Sequence, residues 1–401
     1  FKGYICSAYL YVLTIKIMKK LNILFLNSWY PNAVFPANGN FIQQHARAVA
    51  LNCNIACLHV EVRIQKELFE ITRSFNEGVF EVIVYVKKVE SNYSFIKKLH
   101  RRHLAYKKGL KIINEKFIKV DVMHLNVVLP AGLFAIYLKT KFKIPFIITE
   151  HSTTYLKSSG STHRFLERFL IKKVVQKASK VCPVSNDLKE AMIFSGYQGD
   201  FTVIPNVVNT SYFKYQKKEI SKKINILHVS SLKEEHKNGR GILRVIKKLS
   251  QRRQDFTFTM ISDGDTLPIK KYAEEIGLES SLFSLEGAKS TEGIAIAMQE
   301  YDLFLLFSNY ENLPCVISES LVSGMPVISS DVGGISEMIT NKNGVLVAAG
   351  DEGELICKLE YVINNISKFN RSEIAINAKN TFSYETVGAQ FFSIYKEIIK
   401  N

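Results

Sequence analysis

Short apolar runs alternate with amphipathic stretches through almost the whole of this 401-residue chain, and the alternation starts twice. Runs of four to seven apolar residues with no polar face fit strands buried on both sides, and amphipathic stretches between them fit helices covering a parallel sheet. In the first half strands are predicted at 23–26, 54–59, 80–86, 120–124, 146–148 and 180–183, with helices at 40–51, 93–117, 129–141, 164–178 and 186–195. A further strand is predicted from Phe201 to the proline at 205. After the charged stretch KYQKKEISKK at 214–223 the pattern restarts, with strands at 224–229, 256–262, 282–285, 303–307, 326–329 and 344–347. The expected class is α/β, with two Rossmann-like domains facing a central cleft. Their predicted extents are 18–210 and 211–385, with a last helix at 386–401 packing back on the first.

The ends and the charge narrow the setting. Residues 1–17 are apolar but too short and interrupted for a confident membrane span. Met18-Lys-Lys followed by Leu-Asn-Ile-Leu-Phe-Leu-Asn27 reads as a natural start, so 1–17 is read as an upstream extension, with a weak interfacial anchor as the alternative. Six cysteines lie on mostly apolar segments without a CxxC pair; Cys53 and Cys57 would share one strand face, fitting core thiols in a reducing, cytoplasmic compartment. The net charge of +16 favours anionic partners. The window 95–120 holds nine Lys/Arg against one acid, Glu115, with apolar residues at helical spacing. Two readings stand for the stretch from Lys97 to Lys119: a basic amphipathic helix on an anionic membrane surface, or a solvated face. No motif for nucleic acid is present, so that partner is excluded.

The most informative stretch runs from Ser308 to Ile339, SNYENLPCVISESLVSGMPVISSDVGGISEMI. It leaves a predicted strand, starts a helix at Pro314 and stops it at Gly324. Glu311 then stands in the loop before the helix and Glu319 inside it. A loop feeding a helix N-terminus presents free N–H groups to a diphosphate, and two carboxylates suit vicinal hydroxyls of a sugar and a ribose. A second motif, ILHVSSLKEEHKN at 226–238, places Lys237 just beyond a strand's end as a point charge for phosphate.

These segments resemble the family 4 (group 1) retaining glycosyltransferases of GT-B fold, through the Glu-x7-Glu pair at 311 and 319, Gly-x-Pro-Val at 324–327 and Gly-Gly-x-x-Glu at 333–337. The resemblance covers nearly the whole chain from Met18. It implies that Glu311 contacts the donor sugar, Glu319 the ribose, and Asn312, Leu313, Pro314 and Cys315 the diphosphate. Lys237 matches the family's lysine, whereas the family's arginine falls on Ser230 or Ser231, with Lys233 or Arg240 as substitutes. In the first half Ser28-Trp-Tyr-Pro resembles a subgroup opening, in which Gly39 lets backbone approach a ligand and Trp29 either contacts acceptor or packs. His151, after a buried strand, matches the histidine near the reacting centre; Glu150 would orient it or hold acceptor. Asn206 in Ile-Pro-Asn is the remaining donor contact, with Val207 where the family has glycine and Asn209 where it has aspartate.

The implied activity moves a sugar from a nucleotide-diphosphate sugar, UDP before GDP, to a hydroxyl of a glycan or lipid-linked acceptor in surface polysaccharide or lipopolysaccharide synthesis. No metal or cofactor is expected. Asp263-Gly-Asp265 has the spacing of a metal-binding pair but reads as a turn beside the base. Alternatives are another GT-B reaction such as epimerisation, or a non-catalytic sugar-nucleotide-binding or membrane-docked assembly protein. The oligomeric state is left open.

Overall fold

The computed structural model describes residues 20–89, 95–117, 119–156, 160, 164–219 and 222–400. The reading of 1–17 lies outside them. In the first domain β1 (Asn22–Asn27), α1 (Asn40–Ala50), β2 (Asn54–Arg63), β3 (Phe69–Asn76), β4 (Val79–Lys87), α2 (Phe95–Lys116), β5 (Val122–Asn126), α3 (Gly132–Phe142), β6 (Phe146–Glu150), α4 (Phe165–Lys177), β7 (Lys180–Pro183) and α5 (Asn186–Phe194) follow in order. The second holds β8 (Ile224–Val229), the short α6 (Glu234–Lys237), α7 (Gly239–Ser250), β9 (Phe256–Ile261), α8 (Leu267–Glu275), β10 (Phe283–Glu286), α9 (Thr291–Glu300), β11 (Leu303–Leu306), α10 (Cys315–Val322), β12 (Val327–Ser330), β13 (Gly344–Val347), α11 (Glu352–Asn364) and α12 (Arg371–Phe382), before the final helix α13 (Tyr384–Lys400).

The strand order is β3-β4-β2-β1-β5-β6-β7 in one sheet and β10-β9-β8-β11-β12-β13 in the other. All pairs are parallel except β3 with β4. The central strands β1 and β5 are buried at every residue, as continuous apolar runs covered on both faces require. Two facing Rossmann-like α/β domains make this a GT-B fold, as the resemblance implies.

Two elements differ from the sequence reading. The strand β3 was not foreseen. It is largely exposed and lies antiparallel at the sheet edge, joined to β4 by the two-residue turn Glu77-Gly78, both at positive φ. The stretch from Phe201, in contrast, is no full strand. Thr202 and Ile204 donate to Val181 and Pro183 carbonyls, and Pro205, lacking an N–H, ends the pairing. Among the described residues the chain then reaches the second sheet without a helix until α6.

The apolar side of α2 is spent on the sheet. Ala105, Tyr106 and Ile113 are buried, and the helix packs on β2 and β4. Cys53 and Cys57 are buried in the first-domain core. The last helix, α13, lies against α1, where Phe391 and Tyr395 enter that same core. Tyr395 Oη lies 2.6 Å from His124 Nδ1, whose Nε2 meets Thr149 Oγ1 at 2.5 Å.

Candidate active site

Strands of both sheets end at the same cleft, and the loops after them carry the site. Beyond β11, Phe307 and Ser308 stay buried and the chain turns through 309–313. Pro314 caps α10, with extended backbone at ψ 121°. Glu311 is 5% exposed, yet both carboxylate oxygens are engaged: Lys237 Nζ and Ser308 Oγ donate to Oε1, the latter at 2.7 Å, and His236 Nε2 stands 3.3 Å from Oε2. Burial alone would raise this carboxyl; the Lys237 ammonium, with His236 behind it, reverses the effect and holds it at about 2. The His236 ring is itself stacked on Tyr310, 4.4 Å between centroids and 7° from parallel. His236 was missed by the sequence reading, although its place beside Lys237 on the turn α6 was a usable signal.

Glu319 behaves in the opposite way. It is half-buried one turn inside α10, and burial, with no opposing cation, raises its carboxyl to about 7. It lines a cleft cavity of about 390 Å³ together with Lys237, Ser230, Ser231, Asp263, Lys289 and the N-terminal residues of α1, Asn40 and Phe41. Of the residues proposed to replace the family's arginine, neither lines this cavity. Lys233 is exposed at the start of α6, and the Arg240 guanidinium sits 5.2 Å over the Tyr272 ring. Lys289, paired with Glu286 at 2.7 Å, is a cavity-lining cation that the sequence reading did not name. Ser230 is committed inward. Its hydroxyl lies 2.7 Å from the buried His228 Nε2 and accepts from Leu232 N–H. The two aspartates of the Asp-Gly-Asp turn part company: Asp263 lines the cavity, whereas Asp265 accepts Leu267 N–H at the start of α8. Among the described residues no three His, Cys, Asp or Glu side chains gather as a metal-ligand group.

A second cavity of about 230 Å³ lies on the first-domain side, lined by Trp29, His151, Thr153 and Asn206. Phe41, Glu311, Pro314 and Cys315 line both cavities. Glu311 thus stands at their junction. The His151 ring is buried, and neither ring nitrogen makes a hydrogen bond. Its ring instead packs at a tilt against Phe41, 4.4 Å between centroids, and His45 at 5.4 Å. Burial, with His45 and His124 nearby, holds it neutral by lowering its pKa well below the ordinary histidine value. Glu150 acts on His151 only through the main chain. Its carboxylate accepts N–H groups of Val128, His151 and Ser152 at 2.9–3.0 Å and the Tyr155 hydroxyl at 3.3 Å, and does not reach the His151 ring.

Several predicted contacts fasten the domains together. The Asn312 side chain is turned to the first domain, accepting Ser185 Oγ–H at 3.0 Å and donating to His151 carbonyl at 3.0 Å. Asn206 Nδ2 donates to the Leu313 carbonyl at 2.7 Å, leaving its own Oδ1 unpaired. Glu337 accepts the Asn186 and Asp187 N–H groups at 2.8 Å, capping α5 from the opposite domain. Gly334 permits this closeness, since a Cβ there would stand 2.6 Å from Ser185 Cβ; at Gly333 a Cβ would stand 2.1 Å from the Glu311 carbonyl oxygen, within the second domain. Gly39 has a similar internal reason. It is left-handed at φ +72°, and a Cβ there would press on the Trp29–Tyr30 main chain at 2.9 Å, so its close approach is to its own chain.

Two family profiles match most of the chain. The profile described as "Glycosyl transferases group 1" matches residues 223–365, and that described as "Glycosyltransferase Family 4" matches 61–212. This chain belongs to the group 1, family 4 glycosyltransferases. The transferase is 24% identical over 397 residues to a putative teichuronic acid biosynthesis glycosyltransferase, TuaC, of Bacillus subtilis, covering 92% of this chain and 95% of that one. It is 23% identical over 303 residues to N-acetyl-alpha-D-glucosaminyl L-malate synthase of Bacillus anthracis, covering 70% and 76%. In fold the transferase matches sucrose-phosphate synthase of Thermosynechococcus elongatus with a TM-score of 0.74, 16% identity and coverage of 95% and 100%. It matches Anabaena HepE, solved in complex with UDP and glucose, with a TM-score of 0.70, 16% identity and coverage of 94% and 100%.

Proposed function

We propose that this transferase moves a sugar from UDP to a hydroxyl of a glycan or lipid-linked acceptor in surface-polysaccharide synthesis, with retention at the anomeric carbon. The observation that carries the reading is the junction of two cavities at Glu311. One is lined by Lys237 and Glu319, and the other by His151 with both ring nitrogens unpartnered. Nucleotide and sugar would occupy the first and the acceptor the second. HepE, with UDP and glucose in its structure, and TuaC, by its name, support the donor and the setting.

As the bond from the anomeric carbon to the diphosphate oxygen breaks, its electron pair leaves with the nucleotide. Lys237, the α10 amides and the N-terminal end of α1 would meet that charge, so no metal is invoked. The acceptor oxygen bonds to the same face of the carbon, and its proton passes to the departing phosphate. Retention is supported by the acceptor-side cavity: among the described residues Glu311 is the one carboxylate lining it, and Lys237 already holds it. Asn312, Asn206 and Glu337 would keep the domains closed against water during transfer. We place the reaction in the cytoplasm at the inner membrane face.

Thermal shift with UDP-, GDP-, ADP- and dTDP-sugars tests the donor site. UDP-sugars should stabilise the protein and lose that effect in Glu319→Ala; no stabilisation by any of them would sink the reading. Proton NMR of the product's anomeric signal then tests retention.

A further inference from the structure

The parallel pairing of β4, β2, β1, β5, β6 and β7 forces each crossover helix to begin at the cleft end of the sheet. The helices α2, α3 and α4 therefore all start there, and they lie side by side on one face. Tyr106 of α2 stacks on Phe134 of α3 and His103 meets the same ring edge-on, and Gly132 of α3 abuts Val174 of α4. Along most of their length these helices bury their apolar residues. At the beginnings of α2 and α4 they do not. Phe165 is 90% exposed, and Leu166 and Phe169 stand about half exposed on the first turns of α4, where every residue from 164 to 169 is exposed. Ile96, at the start of α2, is 75% exposed.

Basic residues surround these side chains. Arg164 at the N-cap of α4 and Arg168, Lys172 and Lys173 along the helix stand with the single acid Glu167, and Lys97 and Lys98 are exposed beside Ile96. Lys173 Nζ lies 4.3 Å over the Phe169 ring, its stem along the aromatic face. Exposed aromatics set among cations, at the cleft end of the acceptor-side domain, match a surface of anionic headgroups over acyl chains.

We propose that the first turns of α4, with the start of α2, form a membrane-docking surface that inserts Phe165, Leu166 and Phe169 between anionic lipids and presents the acceptor cavity to the bilayer. This deepens the function proposed above, resting on it only for the lipid-linked acceptor. It also relocates the membrane contact: α2 contributes charge, since its apolar side is spent on the sheet, and α4 contributes the inserting residues.

The test is co-sedimentation of the full chain with vesicles of phosphatidylcholine alone and mixed with phosphatidylglycerol. The wild type should sediment with the anionic vesicles, less so as salt rises. Phe165→Ser/Phe169→Ser should weaken that binding at least about tenfold, from the apolar area no longer buried. Lys97→Gln/Lys98→Gln should weaken binding to anionic vesicles and flatten its salt dependence. Stabilisation by UDP, measured on the same samples, should be equal in all three proteins. Its absence from the wild type would count against the donor reading and leave the lipid result standing. Wild-type protein that stays in solution with both vesicles overturns the proposal, as does an aromatic variant that sediments like wild type. A wild-type dimer that the aromatic variant splits would assign the patch to self-association instead.

Discussion

Lys237 and Glu311, 74 residues apart in the chain, form an ion pair at the meeting point of two cavities, the glutamate buried and the lysine nearly so. Each anchors the other before any ligand arrives. The pair is also the reason a buried carboxyl titrates at about 2.

Lys237→Met leaves that carboxylate buried with only His236 and the Ser308 hydroxyl beside it. Removing one partner of a buried pair costs about 3–5 kcal/mol, and urea unfolding should show a loss of this order. Lys237→Met/Glu311→Gln should recover most of the stability while transfer stays at least about a hundredfold down, since leaving-group stabilisation is still missing. A double variant no more stable than the single one would show that the pair is not what holds Glu311.

Glu319 gives a pH signature of opposite sign. Its carboxyl is raised from 4.5 to about 7, so the native state keeps a proton that the unfolded chain releases. Its contribution to stability should therefore fall as pH rises from about 4.5 to 7. In the absence of nucleotide, Glu319→Gln should have a melting temperature that declines less than wild type across that window. Parallel melting curves from scanning fluorimetry would refute it.

Asn206 offers a test of the strap between domains. Asn206→Ala leaves the Leu313 carbonyl without its donor, at a cost of about 1–3 kcal/mol. UDP affinity should fall with it, because Leu313 borders Pro314 at the head of α10. Isothermal titration reads the affinity, and unchanged binding would confine Asn206 to a structural role.

The serines at the family's arginine position differ in what they touch. Both line the donor cavity, but the Ser230 hydroxyl is engaged with His228. Ser231→Arg should add a cation at the cavity wall and tighten UDP by about fivefold or more, through one charge-assisted contact. Weaker binding would mean that Lys289 or the helix amides already supply that charge.

What could be read from the sequence followed burial. The strands of both sheets were legible because parallel strands covered on both faces are uninterrupted apolar runs. The edge strand β3 mixes exposed polar and aromatic residues, and only its Glu-Gly turn marked it. The loops bearing Glu311, Lys237 and His151 were legible too, since each follows a buried run. Side-chain direction was not. Asn312 stands among the diphosphate candidates in sequence, yet its amide bridges Ser185 and His151. Glu150, next to His151, spends its carboxylate on backbone N–H groups. The wall shared by the two cavities depends on how the domains dock, which no local spacing encodes.

The contact between Tyr395 and His124 spans 271 residues and joins the last helix to the first domain's core. During synthesis, the domain that emerges first is therefore the one completed last. Its sheet can assemble early, but α1 keeps a bare apolar flank until α13 arrives behind the entire second domain. A nascent chain halted between the two domains would leave the ribosome tunnel sticky, and a premature stop within α13 would harm the half of the protein made first.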